Sequence, residues 1–112
     1  MQNYSPKKFS EFVKEIFEHA GSNSQESFII ADHLVDSNLV GHDSHGVIRV
    51  SKYIEWLNKG NIKTNQSVNI INENQNFIHI DGNFGYGQPI AKQSFDLGIK
   101  KAKENGHCLL AL

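Results

Sequence analysis

Phe77-Ile78-His79-Ile80-Asp81-Gly82-Asn83-Phe84-Gly85-Tyr86-Gly87-Gln88-Pro89 is the stretch on which the fold turns. Residues of strand composition lead into a glycine loop, and Pro89 then opens a helix, because proline is tolerated in a helix's first turn. Strand, glycine loop and helix in that order also describe a dinucleotide-binding turn. The spacing here is G-x-x-G-x-G, however, whereas that fingerprint is G-x-G-x-x-G. Backbone room at a turn accounts for the three glycines more simply, so a Rossmann reading carries little weight.

Downstream, Ala91, Phe95, Ile99 and Ala102 carry the helix, and Asn105-Gly106 stops it. His107 to Leu112 then begins a buried strand, Cys108-Leu109-Leu110-Ala111-Leu112, with no turn or polar tail after it. Complete domains usually end at their surface, so the element order reads as the opening of something larger. Upstream, Val68 and Ile70 pair with Phe77–Ile80 around the turn-rich Asn72-Glu73-Asn74-Gln75-Asn76, which predicts a β-hairpin.

Before Gly60 the period is helical. Ser5-Pro6 starts a first helix, with Ser5 as its cap and Phe9, Phe12, Val13, Ile16, Phe17 and Ala20 as its apolar stripe up to Gly21. A second helix restarts at Ser22–Ser24, with Glu26 in its first turn and Phe28, Ala31, Leu34, Val35 and Leu39 on its buried face. The short connection predicts an antiparallel helical hairpin. Gly41-His42-Asp43-Ser44-His45-Gly46 interrupts the pattern, and a third helix follows with Val47, Val50, Ile54 and Leu57 on one face.

The 112 residues, 38% hydrophobic and 21% charged, fit a soluble globular protein of one domain or part of one. With 11 Lys and Arg against 12 Asp and Glu, and no basic stripe, a nucleic-acid surface is not expected. Lys100, Lys101 and Lys103 read as the solvated end of a helix. The single cysteine, Cys108, reads as a buried small hydrophobe in a reducing compartment. MQNYSPKKFSEF lacks an apolar signal core, and no stretch reaches membrane-spanning length, so a cytoplasmic protein is expected.

The chemistry sits in Ser37-Asn38-Leu39-Val40-Gly41-His42-Asp43-Ser44-His45-Gly46-Val47-Ile48-Arg49-Val50-Ser51-Lys52-Tyr53. With a helix beginning near His45, the residues His45, Arg49 and Tyr53 fall at i, i+4 and i+8 along one side of it. Arginine grips a carboxylate through two parallel hydrogen bonds, histidine exchanges protons near neutral pH, and a phenol orients an oxygen. On spacing alone, a His–Arg pair is more often a surface contact than a site. His42 and His45 lack a third ligand at a recognisable spacing, so no metal is expected.

That run closely resembles the signature of the malate/L-lactate dehydrogenase family, which also includes ureidoglycolate, sulfolactate and diketogulonate oxidoreductases. The likeness continues through Gly60-Asn61-Ile62, Asp81-Gly82, Gly85-Tyr86-Gly87-Gln88 and Ala102-Lys103-Glu104-Asn105-Gly106. The resemblance implies that His45 is the proton donor to a substrate carbonyl, or the acceptor in reverse. It implies that Arg49 binds the substrate carboxylate and that Ser44 and Tyr53 line the pocket. His42 and Asp43 match the motif and are given a structural role in the turn. The resemblance further implies a small 2-hydroxy or 2-keto carboxylate substrate, NAD or NADP as cofactor, a homodimer, and a nucleotide-binding fold that is not Rossmann.

Family members are much longer, continuing into another catalytic histidine and the main cofactor-binding region, so no cofactor-binding residue is assigned here. The expected fold is α+β: a helical hairpin and third helix over residues 1–62 carrying the substrate-site residues, then a β-hairpin, a helix and the first strand of a cofactor-binding domain over 63–112. Two functional readings follow, a fragment of a dehydrogenase or a shortened, non-catalytic binding or oligomerisation module.

Overall fold

A computed structural model describes residues 3–112. Met1 and Gln2, which open the segment read above as lacking a signal core, lie outside them. The fold is α+β, with four α-helices and a three-stranded sheet among the described residues, and the chain divides into two compact units, Met1–Asn65 and Gln66–Leu112.

In the first unit, α1 (Pro6–His19) and α2 (Ser24–Leu39) pack on each other as the expected hairpin. Pro6 does open α1, but the Ser5 side chain makes no capping bond. The cap of α2 is Asn23, whose Oδ1 accepts from the Glu26 N–H at 2.8 Å. Glu26 is itself buried, and its carboxylate accepts the Asn65 N–H at 2.9 Å, while Asn65 Nδ2 donates to the Gly21 carbonyl at 2.8 Å. These bonds close the end of the unit onto the start of α2.

The core of this unit is Val13, Phe17, Ile30, Ala31, Leu34 and Val35. Phe12, Phe28 and Leu39, expected inside, are 58%, 55% and 62% exposed. The buried face of α2 is centred on Ser27, Ile30, Ala31, Leu34 and Val35, a true i, i+3, i+4, i+7, i+8 stripe that puts Phe28 and Leu39 at its margins. The short α3 (Val50–Asn58) keeps Ile54 and Leu57 half-buried, and Gly60 with φ +78° turns the chain after it.

In the second unit, β1 (Asn69–Asn74) pairs antiparallel with β2 (Phe77–Asp81), with a register shift between Ile70 and Asn72. The residues Asn72–Asn74, read as part of the turn, belong to the ladder, and the turn is only Gln75-Asn76. β2 then leads through the glycine loop into α4 (Gly87–Asn105) and back to β3 (Leu109–Ala111), which lies parallel to β2. Strand order is β1-β2-β3.

The buried side of α4 is Pro89, Ile90, Ser94 and Gly98, and the expected Phe95 and Ile99 are 62% and 49% exposed. The helix meets β3 closely at Gly98, where a Cβ would lie 3.1 Å from Leu110 Cδ1 and the leucine would have to give way. β3 is not the buried strand expected. Leu109 is 66% exposed, and Cys108 is half-buried. Lys101 is not simply solvated either, for it bonds Glu73 Oε2 at 2.9 Å and the Asn74 carbonyl at 2.8 Å, holding α4 to β1. Among the described residues no helix is long and apolar enough to cross a membrane.

Candidate active site

α2 ends at Leu39, and Gly41 with φ +88° turns the chain away. The chain then makes two 3₁₀ turns, Asp43–His45 and Val47–Arg49, before α3 starts at Val50. This overturns the expectation that His45, Arg49 and Tyr53 share one side of a single helix. His45 lies in the first turn, Arg49 in the second and Tyr53 in α3. The break is at Gly46, whose ψ of −149° leaves the helical path between the two turns.

Ser44 connects two of the expected residues. Its carbonyl accepts from Arg49 Nε at 2.7 Å, and its hydroxyl lies 3.0 Å from His45 Nδ1. A hydroxyl both donates and accepts, so it holds the imidazole in either neutral tautomer. Donating to Nδ1 leaves a proton on Nε2. Accepting from Nδ1–H leaves Nε2 free to take one. Among the described residues the terminal Nη groups of Arg49 have no protein partner.

Ser44, His45 and Arg49 are all exposed, whereas Tyr53 is half-buried. The Tyr53 ring stacks on Trp56 at 5.9 Å and meets Phe17 edge-on at 6.3 Å. The structure thus joins Ser44, His45 and Arg49 by direct hydrogen bonds and places Tyr53 in an aromatic group with Phe17 and Trp56. His42 and Asp43 do shape the turn, through carbonyls that accept the His45 N–H at 3.0 Å and the Gly46 N–H at 3.1 Å. The His42 ring also stands 5.9 Å from that of His45.

One further residue, outside the expected set, links the two turns. Asn38, in the last turn of α2, donates from Nδ2 to Asp43 Oδ1 at 2.8 Å and accepts the Val47 N–H on Oδ1 at 2.9 Å. An asparagine inside a helix, where it is a weak former, followed at i+8 by a glycine, was the available signal.

Packing within the chain accounts for two of the loop's three glycines. Its left-handed residues are Asn83 and Phe84, at φ +53° and +59°, and not its glycines. A Cβ on Gly82 would lie 2.7 Å from Ile90 Cγ2, and one on Gly85 would lie 2.8 Å from Ile90 Cγ1. Gly82 and Gly85 thus make room for the buried Ile90 of this chain. No residue is assigned to a dinucleotide. Among the described residues no group of three His, Cys, Asp or Glu side chains is placed to hold a metal ion.

The family model for malate/L-lactate dehydrogenase matches residues 4–112. Hydroxycarboxylate dehydrogenase B of Escherichia coli O157:H7 is 36% identical over 101 residues, which is 90% of this chain and 28% of the relative. L-sulfolactate dehydrogenase of Methanocaldococcus jannaschii is 35% identical over 101 residues, 90% of this chain and 29% of its own length. The solved structure of malate dehydrogenase from Pyrococcus horikoshii OT3 superposes with a TM-score of 0.92 at 29% identity, covering 97% of this chain and 31% of that one. The chain spans less than a third of the length of these relatives. With the match running from Tyr4 to Leu112, across the turns that join Ser44, His45 and Arg49, the chain belongs to the malate/L-lactate dehydrogenase family.

Proposed function

We propose that this chain is the N-terminal, substrate-holding part of an NAD(P)-dependent oxidoreductase that interconverts a 2-hydroxy acid of malate or lactate type and its 2-keto acid. One observation carries the reading. Arg49 is tied to Ser44 through Nε, which leaves its Nη groups as an open fork, one serine away from an imidazole. Such a fork matches the two oxygens of a carboxylate.

In a 2-keto acid the carbonyl carbon is bonded directly to the carboxylate carbon. A residue that grips the carboxylate therefore brings the carbonyl oxygen to a neighbouring acid. His45 gives its proton to that oxygen as it becomes a hydroxyl, and takes it back in the opposite direction. The Ser44 hydroxyl accepts from Nδ1–H both in the imidazolium that gives the proton and in the neutral ring that takes it back, and Tyr53 lines the pocket. Hydroxycarboxylate, malate and sulfolactate, the substrates in the relatives' names, each carry a hydroxyl and a carboxylate.

In this reading residues 1–62 supply the substrate groups and 63–112 begin the cofactor-binding domain. NAD or NADP as cofactor and a homodimeric whole protein rest on the family resemblance, and a cytoplasmic setting rests on the sequence expectation. The test is an NMR titration of the chain with L-malate. Shifts at the Arg49 Nε–H and the His45 ring are expected, and the His45 shift is expected to be lost in Arg49→Ala. Shifts confined to other residues, or none at all, overturn the reading.

A further inference from the structure

We propose that Asn38 is the positioning residue of this site, setting the turn that carries Ser44 and His45 against the turn that carries Arg49; the role rests on the functional reading above only where substrate is concerned. A single planar amide reaches both turns. Its Nδ2 donates to the Asp43 carboxylate, in the first turn, at 2.8 Å, and its Oδ1 accepts the Val47 N–H, in the second, at 2.9 Å.

The orientation of the amide is not a free choice. A carboxylate only accepts and a backbone N–H only donates, so one of the two flips satisfies both partners and the other satisfies neither. Space enforces the same arrangement. Gly46, the residue between the turns, is buried, and a Cβ built on it would overlap the Asn38 amide. The amide therefore occupies the place a side chain at 46 would take.

Through this brace Asn38 acts on groups it does not touch. The Gly46 carbonyl accepts the Arg49 N–H at 3.0 Å, and the Gly46 N–H bonds the Asp43 carbonyl at 3.1 Å, so both turns hinge on the braced residue. Rotation of one turn against the other would separate Arg49 Nε from the Ser44 carbonyl, the contact that leaves the Nη fork open.

Asn38→Asp keeps an acceptor for Val47 but sets two carboxylates face to face. Adding Asp43→Asn restores the hydrogen bond with donor and acceptor exchanged. The readout is hydrogen exchange of the Arg49 Nε–H by NMR in the 112-residue chain without ligand, beside a thermal melt. Protection is expected to fall about tenfold in Asn38→Asp at temperatures where the chain is fully folded, and to return in the swapped pair. Unchanged protection in the single variant overturns the proposal. Should that variant fail to fold, the swapped pair decides: protection like that of the unsubstituted chain supports the brace, and protection like that of free arginine overturns it. L-malate added to the same samples separates the two ideas. A braced Arg49 that ignores malate sinks the functional reading and leaves the positioning role intact.

Discussion

Gly46 lies against the side-chain amide of Asn38 so closely that no Cβ fits between them. Gly46→Ala is therefore expected to push the two 3₁₀ turns apart, with a cost of roughly 1–3 kcal/mol as for other overpacked sites. Gly41→Ala is the contrast. It meets open space and suffers from its left-handed φ of +88°, a loss of roughly 1–2 kcal/mol with no effect on the Arg49 Nε–H. Melting curves and the Arg49 signal together separate the two variants.

Arg49→Lys is expected to behave almost like Arg49→Ala toward L-malate. Lysine has no Nε to bond the Ser44 carbonyl and no planar fork to offer. Losing charge-assisted hydrogen bonds costs roughly 1.5–3 kcal/mol, ten- to a hundredfold in affinity. Retained affinity in the lysine variant, read by calorimetry or NMR, would show that charge alone suffices.

If the proposed function holds, His45→Ala lowers turnover in a full-length protein carrying this chain while leaving the carboxylate binding proposed for Arg49 nearly intact. General acid–base groups contribute roughly 10²–10⁴-fold to rate. A variant with undiminished kcat would remove His45 from the proton pathway.

Lys101→Met is expected to loosen β1. The Lys101 side chain is only 18% exposed and joins Glu73 to the Asn74 carbonyl from α4. Amide exchange in Asn69–Asn74 should quicken, whereas Glu73→Gln, which spares the Asn74 bond, should change it less. Equal effects in the two variants would show that the carbonyl bond contributes nothing.

Glu55 is held below the ordinary carboxylate range, first by its bond to Lys59 and then by Lys52. A depressed folded pKa means that the contribution is present above the unfolded value of 4.5 and fades as pH falls through the folded one. The carboxylate is exposed, so the effect is small. Melts of the unsubstituted chain and Glu55→Gln should differ slightly at neutral pH and converge in acid. A gap that widens in acid would reverse the sign assigned here.

The four helices and the hairpin were legible because their periods differ, but period alone does not say what covers a face. Phe95 and Ile99 read as core, yet α4 turns Ile90, Ser94 and Gly98 inward, with Leu110 packed closely over Gly98. In the site, His45 and Arg49 were legible as a motif of residue types. The two 3₁₀ turns and the role of Asn38 were not, since bonds from side chain to backbone leave no repeat in the sequence. A helix assumed from His45 onward put Tyr53 in line with the other two, and Gly46 broke that line.

The bonds that arrange Ser44, His45 and Arg49 are short-range along the chain. The longest of them, from Val47 to Asn38, spans nine residues, and the others span five or fewer. Local contacts close fast and at little loop entropy. Ser44, His45 and Arg49 can thus take up their arrangement as soon as the end of α2 forms, early in folding and early on the ribosome. Transplanting residues 38–49 onto the end of another helix would carry the arrangement with it.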